Sequence, residues 1–141
     1  MEQLKLENQL CFPFYTVSRL IIRRYKPLLD ELGITYSQYL VLLVLWEEEP
    51  QLVNDIAKKL YLQTNTITPL LQRLEALNIV SRERSKGDER KVLIKLTPKG
   101  AEMKYTASQF PFKLMEGVDV SQEELILLRD QLKRMIDILS S

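Results

Sequence analysis

Histidine is absent from this chain of 141 residues, and cysteine occurs once, at Cys11. Only carboxylates and carbonyls are left to hold a metal, which argues against zinc or copper sensing; no cofactor is expected. A single cysteine cannot close an intrachain disulfide and suits a reducing compartment. An excess of one charge sign is missing too. The net charge is +1, so this is no uniformly basic nucleic-acid coat, and an anionic partner must be met by a local patch. The longest apolar run, 39–46, is eight residues, against the roughly 20 that a membrane helix needs. Glu2, Lys5 and Glu7 occupy the start of the chain, where a secretion signal would place an apolar core. A cytoplasmic protein without a membrane partner is expected.

At 45% hydrophobic, a chain of this length buries one core, and a single domain is expected. Leu10, Phe14, Val17 and Ile21 step by 4, 3 and 4. That spacing predicts an amphipathic helix over about 13–30, with Pro13 in its first turn and a bend or break at Pro27. Gly33 stops it, Thr35 caps a second helix over 37–48, and Pro50 closes that one. A third helix over about 53–61 carries Asn54 and Asp55 in its first turn, with Asp55 and Lys59 paired at i,i+4. After a short turn at 61–63, Thr64 or Asn65 caps a fourth helix that turns Ile67, Leu70, Leu71, Leu74 and Leu77 inward. Pro69 is tolerable there if the helix begins late.

Segments 79–84 and 91–96 alternate as strands, with Val92, Ile94 and Leu96 on one face, and the polar segment 85–89 containing Gly87 forms the tip of a two-stranded wing. Thr97 and Pro98 start another helix, ending near Pro111, and Ser121 with Glu124 forms a capping box. The last helix spaces Leu125, Leu128, Leu132, Met135 and Leu139 by 3, 4, 3 and 4. The expected class is mainly α with a small β-hairpin wing: a winged helix-turn-helix region over 35–97, flanked by helices at 1–30 and 98–141. The last stripe exceeds what one small core needs, and the first helix carries a similar one. The terminal helices are therefore expected to pack against their copies in a homodimer. The alternative is that both stripes fold back on their own domain.

A recognition helix places short polar side chains at its N-terminal end, where they reach base edges, and keeps its other face apolar. Thr64, Asn65, Thr66, Thr68, Gln72 and Arg73 meet that need. Asparagine and glutamine pair adenine, arginine pairs guanine, and threonine contacts a thymine methyl or a phosphate. By itself such a face is what any solvent-exposed helix shows. The wing adds weight. Between positions 82 and 99 seven basic residues, Arg84 among them, face three acidic ones. Lys86, Arg90 and Lys91 suit a tip that straddles the DNA backbone and puts an arginine into a minor groove. Asp88 is out of place beside phosphates unless it holds the Arg90 guanidinium by a bidentate bond. Double-stranded DNA is the expected partner.

Cys11 lies just before or within the first turn of the first helix, where partial positive charge favours a thiolate. A lone cysteine is more often a small buried hydrophobe. Tyr15, one turn on, shares its face, and a phenol hydroxyl can hydrogen-bond a thiolate.

The stretches LQTNTITPLLQRLEALNIV and DERKVLIKLTPKG resemble the MarR family of winged-helix transcription regulators over nearly the whole chain. LENQLCFPFY and RRYKPLLDELGITYSQYLVLLVLW resemble its organic-hydroperoxide-sensing, OhrR-type branch. The resemblance implies an obligate dimer built from the terminal helices, paired recognition helices on a pseudo-palindromic operator, and Asp88 with Arg90 as the wing-tip pair. It also implies that Cys11 is the peroxide sensor, with Tyr15, Tyr25 and Tyr36 around it, the last two reaching it across the dimer interface. Pro13 departs from the apolar residue usual there. With no second cysteine, an oxidised Cys11 is expected to be capped by a small cellular thiol or to overoxidise, as in the one-cysteine type of the branch.

The expected function is a repressor released from its operator by organic hydroperoxide. The alternative keeps the DNA binding but releases it with a small phenolic or apolar ligand. No enzyme is expected, because a thiol peroxidase would want a resolving cysteine or an oxyanion site that the sequence does not offer.

Overall fold

Two short 3-10 turns, Glu2–Leu4 and Leu6–Asn8, lead into α1 (Cys11–Leu32), which is followed by α2 (Tyr36–Glu47), β1 (Gln51–Leu52), α3 (Val53–Lys59) and α4 (Thr64–Ala76). The strands β2 (Val80–Ser85) and β3 (Asp88–Leu96) come next, then α5 (Pro98–Ala107), α6 (Phe110–Leu114) and α7 (Gln122–Ser140). The computed structural model describes residues 1–141 apart from the side chain of Glu89, so that acidic member of the wing lies outside the described residues.

Helix α1 starts at Cys11, earlier than the spacing predicts, and Pro13 fits because the first turn's N–H groups need no helical partner. Pro27 does not interrupt it: the helix runs on to Leu32. Downstream of that proline, Leu29 is buried in the core and holds the last turn in place. Helix α2 is apolar on all sides and forms the centre of the core, started by a capping box in which Thr35 and Gln38 exchange side-chain and backbone bonds. Fully buried Leu42, Leu45, Ile56, Ile67, Leu71, Leu74 and Ile94 meet around it. Each buried aliphatic side chain stabilises the fold by about 1.5–3 kcal/mol relative to an exposed one.

Three helices stop in the same way. At the ends of α1, α3 and α4, one residue adopts a left-handed conformation while its N–H and the next residue's N–H return to carbonyls three and five positions back. This is the Schellman stop. The left-handed residues are Gly33, Tyr61 and Asn78. Glycine and asparagine are the usual occupants, whereas for a bulky side chain the conformation costs about 1–2 kcal/mol.

The wing differs from the expected hairpin. Its sheet has three strands in the order β1-β3-β2, because Gln51 and Leu52 pair with Ile94 and Leu93. A two-residue strand between two helices leaves no alternation to detect. The β2 and β3 strands also run closer to the tip than expected, leaving only Lys86 and Gly87 as the turn.

Thr97 caps α5 by accepting the Gly100 N–H, and its Oγ1 lies 2.8 and 3.0 Å from the carbonyls of Asn78 and Ile79. The C-terminal end of α4 is thereby tied to α5. The Trp46 indole N–H donates to the Gly100 carbonyl, joining α2 to the same point. The helix begun at Pro98 ends at Ala107, and Pro111 sits in the first turn of the separate α6. The Arg24 guanidinium grips the carbonyls of Leu114 at 2.6 Å and Glu116 at 3.1 Å, so α1 and the end of α6 are joined. The Ser121–Glu124 capping box starts α7 as expected, and none of that helix is buried. No single helix is long and apolar enough to cross a membrane.

Candidate nucleic-acid interface and cysteine site

Helix α4 buries Ile67, Leu71 and Leu74 and presents Thr64, Asn65, Thr66, Gln72 and Arg73 to solvent, with Thr68 half-buried. It begins at Thr64 with Gln63 as N-cap and no side-chain capping bond, so neither Thr64 nor Asn65 caps it. The Thr64 hydroxyl donates instead to the Asn54 Oδ1 at 3.1 Å, fastening the start of α4 to the start of α3. Nothing in a ten-residue separation announces this contact. The Thr68 hydroxyl donates to the Thr64 carbonyl at 2.9 Å, one turn back and next to Pro69, which brings no N–H to that turn. With both hydroxyls engaged, Asn65, Thr66, Gln72 and Arg73 are the exposed groups best placed to read an edge.

Lys59 does not pair with Asp55. Its ammonium donates to the Gln51 Oε1 at 2.8 Å and lies 3.9 Å from Glu48. Buried Gln51 in turn donates to the carbonyls of Val44 and Glu48, satisfying the end of α2, and this well-made site outcompetes an exposed i,i+4 pair.

At the wing, Arg84 pairs with Val92 and Ser85 with Asp88, so positions 89–91 of β3 have no register partner on β2. This bulge carries Arg90 and Lys91 off the regular ladder, and such bulges re-aim side chains. The Asp88 carboxylate accepts the backbone N–H of Arg90 at 2.9 Å and does not form the expected bidentate bond to its guanidinium. The carboxylate is taken up instead by the backbone of its own turn, an Asx-type contact that this spacing favours. Two of the seven basic residues are occupied elsewhere: Arg82 pairs with Glu75 at 3.5 Å and Lys99 donates to the Leu77 carbonyl. The outward patch is therefore Arg84, Lys86, Arg90, Lys91 and Lys95, all exposed.

Cys11 is exposed at the first position of α1, with Tyr15 one turn on, also exposed, beneath the Arg19 guanidinium at 6.0 Å. Tyr25 and Tyr36 stand together elsewhere, their ring centres 5.0 Å apart, with Tyr39 5.6 and 6.1 Å from them. Tyr39, which sequence reasoning assigned no role, is buried and also touches Trp46 and Phe110. Its spacing from Tyr36, a single helical turn, was the available signal. Burial, then the neighbouring Tyr39 and Tyr36, pushes the Tyr25 phenol up to about 12. Burial also raises Tyr36, and burial with Tyr36 raises Tyr39. All three are O–H donors at neutral pH. Tyr25 is 14 positions after Cys11 on one helix, about 21 Å along its axis. Within one chain the thiol and this pair do not meet.

An apolar groove of about 610 Å³ runs between α1 and α7, lined chiefly by Phe14, Val17, Ile21, Leu128 and Leu132, with Tyr36 beside it.

The family described as "Transcriptional regulator SarA/Rot" matches residues 23–106. The organic hydroperoxide resistance transcriptional regulator of Bacillus subtilis is 45% identical over 98% of this chain and 94% of its own length. The chain belongs to the MarR family of winged helix-turn-helix regulators. Within the family, reduced AbfR bound to DNA superposes with a TM-score of 0.80 at 41% identity, covering 99% of this chain and 97% of that one. Disulfide-formed AbfR, from a regulator also solved from Staphylococcus epidermidis, gives a TM-score of 0.69 at 41% identity, covering 98% and 94%. This MarR-family chain is thus nearer in shape to the reduced, DNA-bound relative than to its disulfide form. The mainly helical fold with a small antiparallel sheet is the architecture of those regulators.

Proposed function

We propose that this regulator is a cytoplasmic homodimeric repressor that holds a pseudo-palindromic operator while Cys11 is reduced and releases it when an organic hydroperoxide oxidises that thiol. The observation that carries the reading is an exposed Cys11 at the first residue of α1, remote from Tyr25 and Tyr36 of its own chain yet on the helix whose apolar face is left bare. A second copy packed on the bare faces of α1 and α7 would bring its cysteine to this tyrosine pair. Residues 35–97 would then read DNA, and 1–30 with 98–141 would form the dimer. Thr64, Asn65, Thr66, Thr68, Gln72 and Arg73 face the major groove in this reading, and Arg84, Lys86, Asp88, Arg90 and Lys91 make up the wing.

In the chemical step the Cys11 thiolate attacks a peroxide oxygen and the O–O bond breaks. Sulfur is oxidised to a sulfenate while the hydroperoxide is reduced to its alcohol. A small cellular thiol then condenses with the sulfenic acid, giving a mixed disulfide and water; without it, more peroxide carries the sulfur to sulfinic acid. Protonated Tyr25 and Tyr36 donate hydrogen bonds to the thiolate, and the oxidised, enlarged sulfur loses that fit. Release follows from geometry, since both recognition helices must enter grooves about 34–36 Å apart at once.

The test is a gel shift on the region upstream of the protein's own gene, titrated with cumene hydroperoxide, for wild type and Cys11→Ser. Wild type is expected to dissociate and the variant to stay bound. If the variant dissociates equally, the thiol is not the switch.

The groove between α1 and α7 favours a second reading, release by an apolar or phenolic ligand lodged there with Cys11 still reduced. Release by such a compound with the intact mass unchanged would select it. The chain acts as a regulator and not as an enzyme; peroxide turnover beyond one equivalent per subunit would reassign it as a thiol peroxidase.

A further inference from the structure

The three Schellman stops contain their own control. Gly33 and Asn78 fill the left-handed position at the ends of α1 and α4, and Tyr61 fills it at the end of α3 with the same pair of returning bonds: its own N–H to the Lys58 carbonyl at 3.2 Å and that of Leu62 to the Ala57 carbonyl at 3.0 Å. The two leucines flanking Tyr61 pack on the core and fix the turn. The ring is not needed for that packing. It is 62% exposed, and among the described residues its hydroxyl makes no hydrogen bond. A strained conformation kept for a side chain that contributes little to the fold points to a use outside the fold.

Tyr61 stands in the turn of the helix-turn-helix, three residues before Thr64, the first residue of α4. We propose that Tyr61 is a further DNA contact, its phenol hydroxyl donating to a phosphate oxygen of the operator backbone and setting the depth at which α4 enters the groove. Tyrosine hydroxyls are among the groups that make such positioning contacts. The inference rests on the DNA-binding reading above. A phosphate contact carries no sequence information, and a neutral phenol displaces no counterion, so Tyr61 should act equally on all duplexes and leave the salt slope alone.

The full-length reduced protein is measured on a fluorescent duplex from its own upstream region and on a random-sequence duplex, with thermal unfolding in parallel. Tyr61→Gly and Tyr61→Asn are expected to raise the melting midpoint by about 2–6 °C, through relief of the left-handed strain. Both should weaken binding to each duplex by about tenfold, as expected for one lost contact. Tyr61→Phe should lose the same affinity without the gain in stability. A lower midpoint for Tyr61→Gly and Tyr61→Asn would make the ring structural and overturn the proposal. Unchanged affinity in those variants would overturn it as well, and Tyr61→Phe binding like wild type would overturn the hydroxyl contact. Arg90→Ala separates the two readings. If it weakens binding and the Tyr61 variants do not, only the Tyr61 contact falls; if wild type binds neither duplex, the DNA-binding reading falls with it.

Discussion

The Asp88 carboxylate accepts the Arg90 backbone N–H at 2.9 Å, so at the wing tip a negative charge sits two residues from the arginine best placed for a groove. What Asp88 contributes is an acceptor atom for the turn. Asp88→Asn keeps that acceptor and removes the charge near phosphate, so operator affinity should hold or rise, whereas Asp88→Ala should weaken it by roughly threefold. A bidentate carboxylate–guanidinium role would instead make both variants weaken binding alike. Fluorescence anisotropy at fixed salt distinguishes the two.

Arg90→Ala should cost operator binding about 1–3 kcal/mol, and Lys86→Ala should mainly lower the salt slope, by about one. Arg82→Ala, whose guanidinium faces Glu75 on α4, should leave that slope almost unchanged. The measurement is affinity across a salt series for all three variants.

The α1 and α7 faces give a third expectation. Sedimentation of the wild type at low micromolar concentration should show a dimer. Val17→Glu with Leu132→Glu places charges on the groove between those helices and should yield a folded monomer. Loss of simultaneous engagement of two half-sites should then reduce operator affinity by about 100-fold or more. A monomeric wild type would refute the dimer.

Gly100 packs directly against the Ile79 carbonyl, where a Cβ would overlap backbone, and its own carbonyl receives the Trp46 N–H. Gly100→Ala should destabilise the fold by about 3 kcal/mol or more, because backbone must shift to admit one methyl. Trp46→Phe, which removes the indole bond to that helical carbonyl, should cost about 0.5–1.5 kcal/mol. Chemical denaturation of both variants checks this.

Tyr25 sets a pH dependence. Above pH 10 the unfolded chain gives up its phenolic proton, while the folded chain holds it until about 12. The unfolded state then binds fewer protons, so stability falls as pH rises from about 10 to about 12 and has no Tyr25 dependence below that. Tyr36 and Tyr39, raised for the same first reason, act in the same direction. Denaturant midpoints at pH 8, 10 and 11.5 should show the loss, and Tyr25→Phe should reduce it.

Much of this was legible in the chain because the physics was local. Thr97 with Pro98, Ser121 with Glu124, and the stripe from Ile67 to Leu74 each act within one or two helical turns, and each formed as read. What escaped depends on distant partners. Strand β1 exists only because β3 lies beside it, Lys59 turns away from Asp55 because buried Gln51 offers a better acceptor, and α1 runs through Pro27 with Leu29 held beyond it. At the site, the exposure of α4 and the wing followed from pattern. The engagement of Thr64 by Asn54, and the separation of Cys11 from Tyr25, required the fold.

Leu29 is the one residue of α1 buried in its own chain, near the far end of the helix from Cys11. From that pivot to the thiol is about 27 Å of rigid rod, so a tilt of about 10° sweeps Cys11 through about 5 Å. At the Arg24 grip on Leu114 and Glu116, much nearer the pivot, the same tilt is a far smaller displacement. Anchored at one end and carrying the thiol at the other, α1 has the geometry of a lever arm.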